Sequence, residues 1–195
     1  MKKFLALILV ACLAMAFVSC GKDDGDTATT DVSAFTAAIA NTNPGGAVID
    51  VVTETTLGTL TAKYTVAYNA DGSASVTYSV EKFNEFDPSN PTAETKGVDE
   101  GVATINADGT CTGDIEGNVA SIAAGVSIDL TAVADKATVN EAGDVLTVVV
   151  PAASTSSVIG TSVASDVTLE ISVSGSAVER IDISYSGVSI TCKYN

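Results

Sequence analysis

The feature that most constrains this chain is a strict alternation of apolar and polar residues, interrupted by short turns that contain glycine. Apolar side chains occupy every second position of residues 60–68 and again of residues 74–80. Between these runs lies Asn69-Ala70-Asp71-Gly72, where glycine supplies the positive φ of a tight turn. A helix repeats every 3.6 residues and cannot place these positions on one side. The pattern therefore predicts a long antiparallel hairpin with one apolar and one polar face.

The same device recurs further along the chain. Asn106-Ala107-Asp108-Gly109 and the segment from Asn140 to Asp144 separate further strand pairs, and alternation continues at residues 126–131, 167–173 and 181–194. A sheet with one apolar face must cover that face. It can do so by folding onto a second sheet, by closing into a barrel, or by wrapping around short helices.

Two short helices are expected among the strands. Val32, Phe35 and Ile39 recur at spacings of three and four, which predicts an amphipathic helix over residues 31–41, capped by Thr30 or Asp31. Residues 152–163, after Pro151, have a similar spacing and predict a second short helix.

Two stretches break the alternation. Residues 84–101 are acidic and contain two prolines, so they are expected to form a long exposed loop. Residues 118–125 are small and apolar, which fits a strand or a single helical turn.

The N-terminus has the features of an export signal. Met1-Lys2-Lys3 is followed by the uncharged apolar run Phe4–Val18, which is short for a membrane span but suits a signal-peptide core. Phe17-Val18-Ser19-Cys20 resembles a bacterial lipobox, although Phe17 stands where leucine is usual. The resemblance implies a signal peptide at residues 1–19, a lipidated flexible tether at 20–30, and a single β-rich domain at 31–195. The alternative is an ordinary secretory signal with a chance cysteine.

The charge balance narrows the partners. The chain has 9 Lys and Arg against 24 Asp and Glu, a formal charge of −15, and loss of residues 1–19 would make it −17. Such a chain repels nucleic acid and is not drawn to anionic lipid headgroups. Membrane attachment would therefore come from acyl chains on Cys20, which places the protein outside the cytoplasm, anchored to the bacterial cell membrane or the outer membrane.

Little in the sequence favours catalysis. There is no histidine, which removes the commonest general base and zinc ligand, although Ser–Lys hydrolysis remains formally open. The Asn and Asp oxygens of the turns at Asn69 and Asn106 are explained by turn chemistry, since neither turn has the framework of an EF-hand. We therefore expect a protein that is not an enzyme, with no cofactor and no metal site.

Two cysteines remain after export. Cys12 would leave with the signal and Cys20 would be lipidated, so Cys111 and Cys192 are left. Two thiols in an exported protein predict a disulfide, which would stabilise by about 4.5 kcal/mol for a loop of about 80 residues. The alternative is two separate buried thiols.

The order of the elements resembles a known architecture. A helix at residues 31–41, long meandering strands, a second short helix, and closing strands at 166–195 are similar to the half-barrel of the lipoprotein-localisation factors and the mycobacterial LppX-like lipoproteins. The resemblance implies a mainly β fold, with a curved antiparallel sheet cupping one or two short helices around an apolar cavity; a β-sandwich is the alternative. The implied cavity-lining residues, which could equally be ordinary core, are Phe35, Ile39, Tyr64, Val66, Tyr78, Ile128, Leu169 and Ile183.

Two functions follow as hypotheses. The first is a noncatalytic, lipid-anchored carrier or sensor that binds an apolar ligand, a lipid or acyl chain, inside the curved sheet. The second is a surface-displayed β module for adhesion or envelope assembly, favoured by the Ser- and Thr-rich, acidic composition. The expected partners are the membrane, through Cys20, and a lipid ligand; the sequence identifies no protein partner.

Overall fold

A computed structural model describes most of the chain from residue 30 onward. The described residues are 30–42, 45–83, 96–108, 110–112, 128–160 and 162–195. The predicted signal peptide, Cys20 and the stretch 118–125 lie outside them. Among the described helices, none is long and apolar enough to cross a membrane.

The fold is mainly β, with a few short helices. The helices are α1 (Ser33–Asn41), α2 (Thr155–Ile159) and two 3-10 helices (Thr131–Lys136 and Ala152–Ser154). The strands are β1 (Gly46–Thr55), β2 (Gly58–Tyr68), β3 (Ala74–Phe83), β4 (Lys96–Ile105), β5 (Cys111–Thr112), β6 (Ala137–Val139), β7 (Val145–Val150), β8 (Val167–Ser174), β9 (Ala177–Tyr185) and β10 (Val188–Tyr194).

All ten strands belong to one antiparallel sheet in the order β5-β4-β3-β2-β1-β10-β9-β8-β7-β6. The first and last strands of this order stand at the two edges, so the curved sheet is not closed. This arrangement confirms the predicted half-barrel. The β-sandwich alternative is wrong, because the described strands form one sheet rather than two.

The two ends of the sheet differ in their turns. One end, called the Asx end here, carries the turns at Asn69–Ser73, Asn106–Thr110 and Asn140–Asp144. The opposite end, called the open end, carries the tight turns at Thr56-Leu57 and Ser186-Gly187.

The hairpin turns at the Asx end confirm the predicted turn chemistry. In the first, Asn69 N donates to Ser73 O over 2.8 Å and Gly72 has a φ of +84°. Asp71 Oδ1 accepts hydrogen bonds from the Ser73 amide and hydroxyl over 2.9 and 2.6 Å. Asp108 and Thr110 repeat these two bonds at the same lengths. The fifth residue of each turn, Ser73 or Thr110, donates both of these hydrogen bonds, and the sequence pattern did not predict this role.

The helices cover one part of the inner face, the side of the sheet on which the core lies. Helix α1 packs on β8 and β9, and the 3-10 helix Thr131–Lys136 packs on β7 and α2. Thr42 fixes the end of α1, because its hydroxyl donates to Ala38 O over 2.7 Å and accepts from the Val178 amide of β9 over 2.8 Å. Buried Thr155 fixes the connection from β7 to β8 in the same way, between Ala152 O and the Val163 amide.

The predicted helices are present but shorter than expected. Helix α1 begins at Ser33 rather than at residue 31, and its N-cap is Val32, which makes no side-chain capping bond, so neither Thr30 nor Asp31 is the N-cap. Asp31 Oδ1 does accept from the Ser33 amide over 2.9 Å. The second predicted helix, over 152–163, is a 3-10 turn followed by α2, which ends before Gly160 at a φ of +72°.

Two sequence predictions are wrong in their described parts. Residues 128–130 alternate in burial but form no strand, because Asp129 Oδ1 accepts from the Thr131 amide over 3.0 Å and begins a 3-10 helix there. Residues 96–101, expected in the long loop, begin strand β4. Part of their negative charge is offset there by an ion pair between Lys82 and Asp99, at 3.7 Å.

Candidate ligand-binding face

One lateral row of inner-face residues crosses the sheet from edge strand β6 to β3, where Val80 pairs with Asp99 of β4. Strand pairing places its members side by side, and the row runs through Ala137, Val148, Leu169, Ile183, Ile190, Val51, Ala62 and Val80. The burial of the row changes abruptly along its length. Its first four members, up to Ile183 at 7% exposure, are buried, and the last four are only half-buried.

The change lies in this row and in the rows toward the open end. One row closer to the Asx end the inner face is buried on β9, β10, β1, β2 and β3 alike, at Ile181, Cys192, Ile49, Tyr64 and Tyr78. The main contacts of α1 are with β8 and β9, and those of the Thr131–Lys136 turn are with β7 and α2. The adjoining inner-face positions toward the open end are also half-buried. Together these half-buried residues form what is called here the open patch, consisting of Val51, Thr53, Leu60, Ala62, Val80, Tyr185, Val188 and Ile190.

The structure brings the eight predicted lining residues into one core. Seven of them are buried, and Ile39 of α1 is half-buried against the same cluster. Ile183 lies opposite Ile190 of the open patch, and the cross-strand pair Tyr64 and Tyr78 lies in the next row toward the Asx end. As described, these side chains pack against one another as core, and their role as a cavity lining stays a prediction.

The open patch itself was not singled out from the sequence. Most of its members have the same apolar parity as the predicted residues, so alternation alone could not separate them. Closeness to a tight turn could have indicated the open patch. Leu60 and Val188 follow Gly58 and Gly187 within two residues. Residues beside a tight turn lie at the end of a sheet, where covering elements reach less often.

Two surface depressions, both open to solvent, are lined mainly by side chains of the outer face of the sheet. The first lies over β2, β3 and β4, is lined mainly by outward-facing side chains, and includes Lys63, Thr77 and Glu100. The second lies at the open end and includes Glu54, Asp166 and Tyr185. Only one of the eight predicted lining residues, Tyr78, borders either depression.

Tyr68, Tyr194 and Cys192 form a cluster of two phenols and a thiol near the Asx end of the sheet. Burial raises the pKa of Tyr68 to about 12, and the neighbouring Cys192 contributes to the shift. Burial also raises the pKa of Tyr194 far above its ordinary value, and its interaction with the Cys192 thiol adds to the effect. The Cys192 thiol is itself desolvated, which raises its pKa. These groups are therefore neutral at physiological pH, as an apolar core requires.

The raised pKa of Tyr68 predicts a loss of stability at alkaline pH. Its folded-state pKa of about 12 exceeds the ordinary 10.0, so the stabilisation is complete below pH 10 and declines as pH rises toward 12. We expect the difference in unfolding free energy between the wild type and Tyr68→Phe to fall steadily across this range. Urea titrations at several pH values measure it, and a difference independent of pH would contradict the assignment.

The predicted disulfide between Cys111 and Cys192 is not formed, which corrects the sequence analysis. Both thiols are free, Cys111 exposed and Cys192 buried. Strands β4, β3, β2 and β1 lie between β5 and β10. Five strand spacings are roughly 24 Å along the sheet, whereas a disulfide needs Cα atoms about 4.4–6.8 Å apart. The alternation of apolar residues indicates the face of the sheet on which each cysteine lies, but it does not indicate how many strands separate the two cysteines.

The contrast between the two thiols predicts selective labelling. In the native protein without its lipid, a maleimide should modify Cys111 rapidly and Cys192 at least about tenfold more slowly, because only exposed thiolates react readily. Peptide mass spectrometry after timed labelling measures both rates. Equal rates in the native state would show that the inner face near Cys192 opens to solvent.

The polar groups of the described residues offer little chemistry. No group of three or more Cys, Asp and Glu side chains in the described ranges is placed to hold a metal ion. The pKa of Asp71 is lowered by hydrogen bonds from the Ser73 hydroxyl and amide, as is that of Asp108 by Thr110. Ser79 and Lys82 have the Ser-x-x-Lys spacing but an odd separation in a strand, which puts them on opposite faces.

Comparison with known proteins gives a limited result. No protein-family model matches the sequence, and no curated protein matches it at a significant level. Among solved structures, the chain is similar to one described as the crystal structure of LprF from Mycobacterium bovis. The sequence identity is 10% and the TM-score is 0.40, over 84% of this chain and 90% of that chain. The fold assignment therefore comes from the strand pairing of this chain itself.

Proposed function

We propose that this chain is a noncatalytic, lipid-anchored extracytoplasmic protein whose open patch binds an acyl chain. The observation that carries the proposal is the row that is closed up to Ile183 and half-exposed from Ile190 onward. The open patch is an apolar surface that adjoins the buried core and has no protein cover from the described residues on one side. An apolar ligand bound there would extend the core.

The chemistry of the open patch favours a flexible apolar ligand. Its eight members include no Asp, Glu, Lys or Arg, and Thr53 and Tyr185 supply its only polar side-chain atoms. Burial of apolar surface contributes about 25 cal/mol per Å² and needs no directional partner. An acyl chain can follow the shallow curve of β10, β1, β2 and β3, whereas a polar substrate would lose hydrogen bonds to water there.

A matched pair of variants on strand β2 tests the ligand. Ala62 belongs to the open patch, while Ala67 is exposed on the outer face of the same strand. We expect residues 21–195, titrated with palmitoyl lysophosphatidylcholine and followed by native mass spectrometry, to bind the lipid. Ala62→Asp should weaken binding about tenfold or more, since it buries a carboxylate against the acyl chain, and Ala67→Asp should not. Equal binding by both folded variants would refute the open patch as the site.

The lipid anchor has its own test. Wild-type protein expressed in a bacterial host should sediment with membranes, and Cys20→Ala should be released into the soluble extracytoplasmic fraction. Release is expected because the acidic chain has no other strong attraction to lipid headgroups. Membrane retention of Cys20→Ala would refute the lipobox assignment.

A specific feature of the outer face favours the second candidate, a surface-displayed module. Val98 and Val102 of β4 are both largely exposed, and Val102 borders the depression that contains Lys63 and Glu100. Two solvent-facing valines on one strand suit contact with another protein. If the wild type binds no lysophosphatidylcholine, this surface becomes the better-supported functional site.

A further inference from the structure

We infer that the open end of the half-barrel faces the membrane and that the β1–β2 turn contacts the lipid surface. This inference rests on the lipid anchor of the proposed function and adds the orientation in which the domain works. Two features of the described residues support it, namely the distribution of exposed apolar side chains and the polarity of the turns, and the point where the tether joins the domain permits it.

Three of the four strongly exposed large apolar side chains of the described residues lie in the open half, and the fourth, Val102, lies in the Asx half. Leu57, at the tip of the β1–β2 turn, is 77% exposed, and Leu60 of the open patch follows three residues later. Val98 and Val149 are also exposed, and strand pairing places both on the open-end side of their neighbours. The open end therefore combines an apolar tip with the apolar patch behind it.

The turns of the Asx end carry acidic side chains, whereas at the open end the carboxylates of Glu54 and Asp166 lie outside the two tight turns. The hairpin turns of the Asx end contain Asp71, Asp108 and Asp144, and each of these carboxylates accepts a hydrogen bond within its own turn. None of the large apolar side chains that are strongly exposed in the described ranges lies in these turns. Turning this end toward a bilayer would place these carboxylates at the lipid surface and move the open patch about 17–26 Å away, the length of five to eight strand residues.

The attachment point of the tether fits the same orientation. The Thr30 hydroxyl donates to Ala137 O of β6 over 2.5 Å, and Ala137 belongs to the lateral row that contains Val51. Cys20 precedes Thr30 by ten residues, so the acylated cysteine can lie at most about 36 Å from this point. A lipid surface within that reach can meet the open end.

The absence of tryptophan from the sequence allows a direct measurement with single reporters. Leu57→Trp places one indole at the open end, and Ala70→Trp places one in an exposed turn at the Asx end. Both are introduced into the full-length lipidated protein, which is reconstituted in phosphatidylcholine vesicles with or without brominated acyl chains. Far-UV circular dichroism verifies that both variants fold.

We expect the brominated lipid to quench most of the fluorescence of Leu57→Trp and to leave the fluorescence of Ala70→Trp unchanged. The emission of Leu57→Trp should also shift to the blue when the protein binds vesicles. Stronger quenching of Ala70→Trp, equal quenching of both, or quenching of neither in vesicle-bound protein would overturn the orientation alone. A protein that does not cosediment with the vesicles would overturn the anchor, and the orientation with it.

Discussion

Replacement of Phe35 by Ala is expected to lower the free energy of unfolding by about 3–5 kcal/mol, among the largest effects expected of a single truncation in the described residues. Phe35 is 1% exposed and is among the largest fully buried side chains. It lies on α1, a nine-residue helix too short to be stable by itself, so the packing of its apolar side chains holds it on β8 and β9. Truncation removes transfer free energy and leaves a cavity that the sheet cannot readily fill.

Equilibrium urea unfolding of residues 21–195 measures this change, and Phe83→Ala provides the control. Phe83 is the same residue type at the end of β3 but is only half-buried, so its truncation should cost clearly less. If the two variants lost equal stability, α1 would not be an integral part of the core. Loss of α1 should also expose the inner face of β8 and β9 and increase binding of a hydrophobic dye.

The hairpins could be predicted from the sequence because two independent local signals agree there. Between β2 and β3 the alternation specifies which side chains face inward, and the turn from Asn69 to Ser73 fixes the register by its own hydrogen bonds. Both signals are local in sequence, so no knowledge of distant contacts is needed. The same agreement explains the successful prediction of the turns at Asn106 and Asn140.

The location of the candidate site depends on contacts that are distant in sequence. Ile183 and Ile190 are both inward-facing isoleucines, paired across the β9–β10 hairpin, and nothing in their neighbourhoods distinguishes them. Which of the two is buried depends on segments that pack on the sheet from far away in sequence, such as α1 about 150 residues earlier, whose main contacts are with β8 and β9. The predicted disulfide was wrong for a related reason, because the number of strands between Cys111 and Cys192 depends on the whole topology.

Local side-chain bonds account for the errors in secondary structure. Residues 128–130 have the alternation of a strand, but Asp129 bonds the Thr131 amide and hydroxyl and turns the chain into a 3-10 helix. Asx interactions of this kind compete with strand pairing, and alternation does not report them. The two prolines that indicated a loop lie before Lys96, so they did not exclude a strand beginning there.

A contrast between two adjacent glycines gives the second large effect. A Cβ atom built on Gly46 would lie 2.7 Å from the carbonyl oxygen of Val66, whereas one on Gly45 has its nearest neighbour, Asn195 O, at 3.9 Å. Neither glycine has a positive φ, so conformational strain does not separate them. The obstacle at Gly46 is backbone held in place by the pairing of β1 with β2, which cannot rotate away as a side-chain end could.

We therefore expect Gly46→Ala to lower the free energy of unfolding by about 2–3 kcal/mol, and Gly45→Ala to change it by less than about 0.5 kcal/mol. The site joins three strands, because Gly45 N donates to Asn195 O and Asn195 N donates to Gly46 O, both over 3.1 Å, while Tyr68 N donates to Gly45 O. Displacing Val66 by the few tenths of an ångström that a methyl group requires would strain β2, β1 and β10 together. Urea unfolding of the two variants under one buffer condition measures the contrast. Equal effects would mean that the close approach of β2 to Gly46 does not exist in solution, and that β1 enters the sheet in another register.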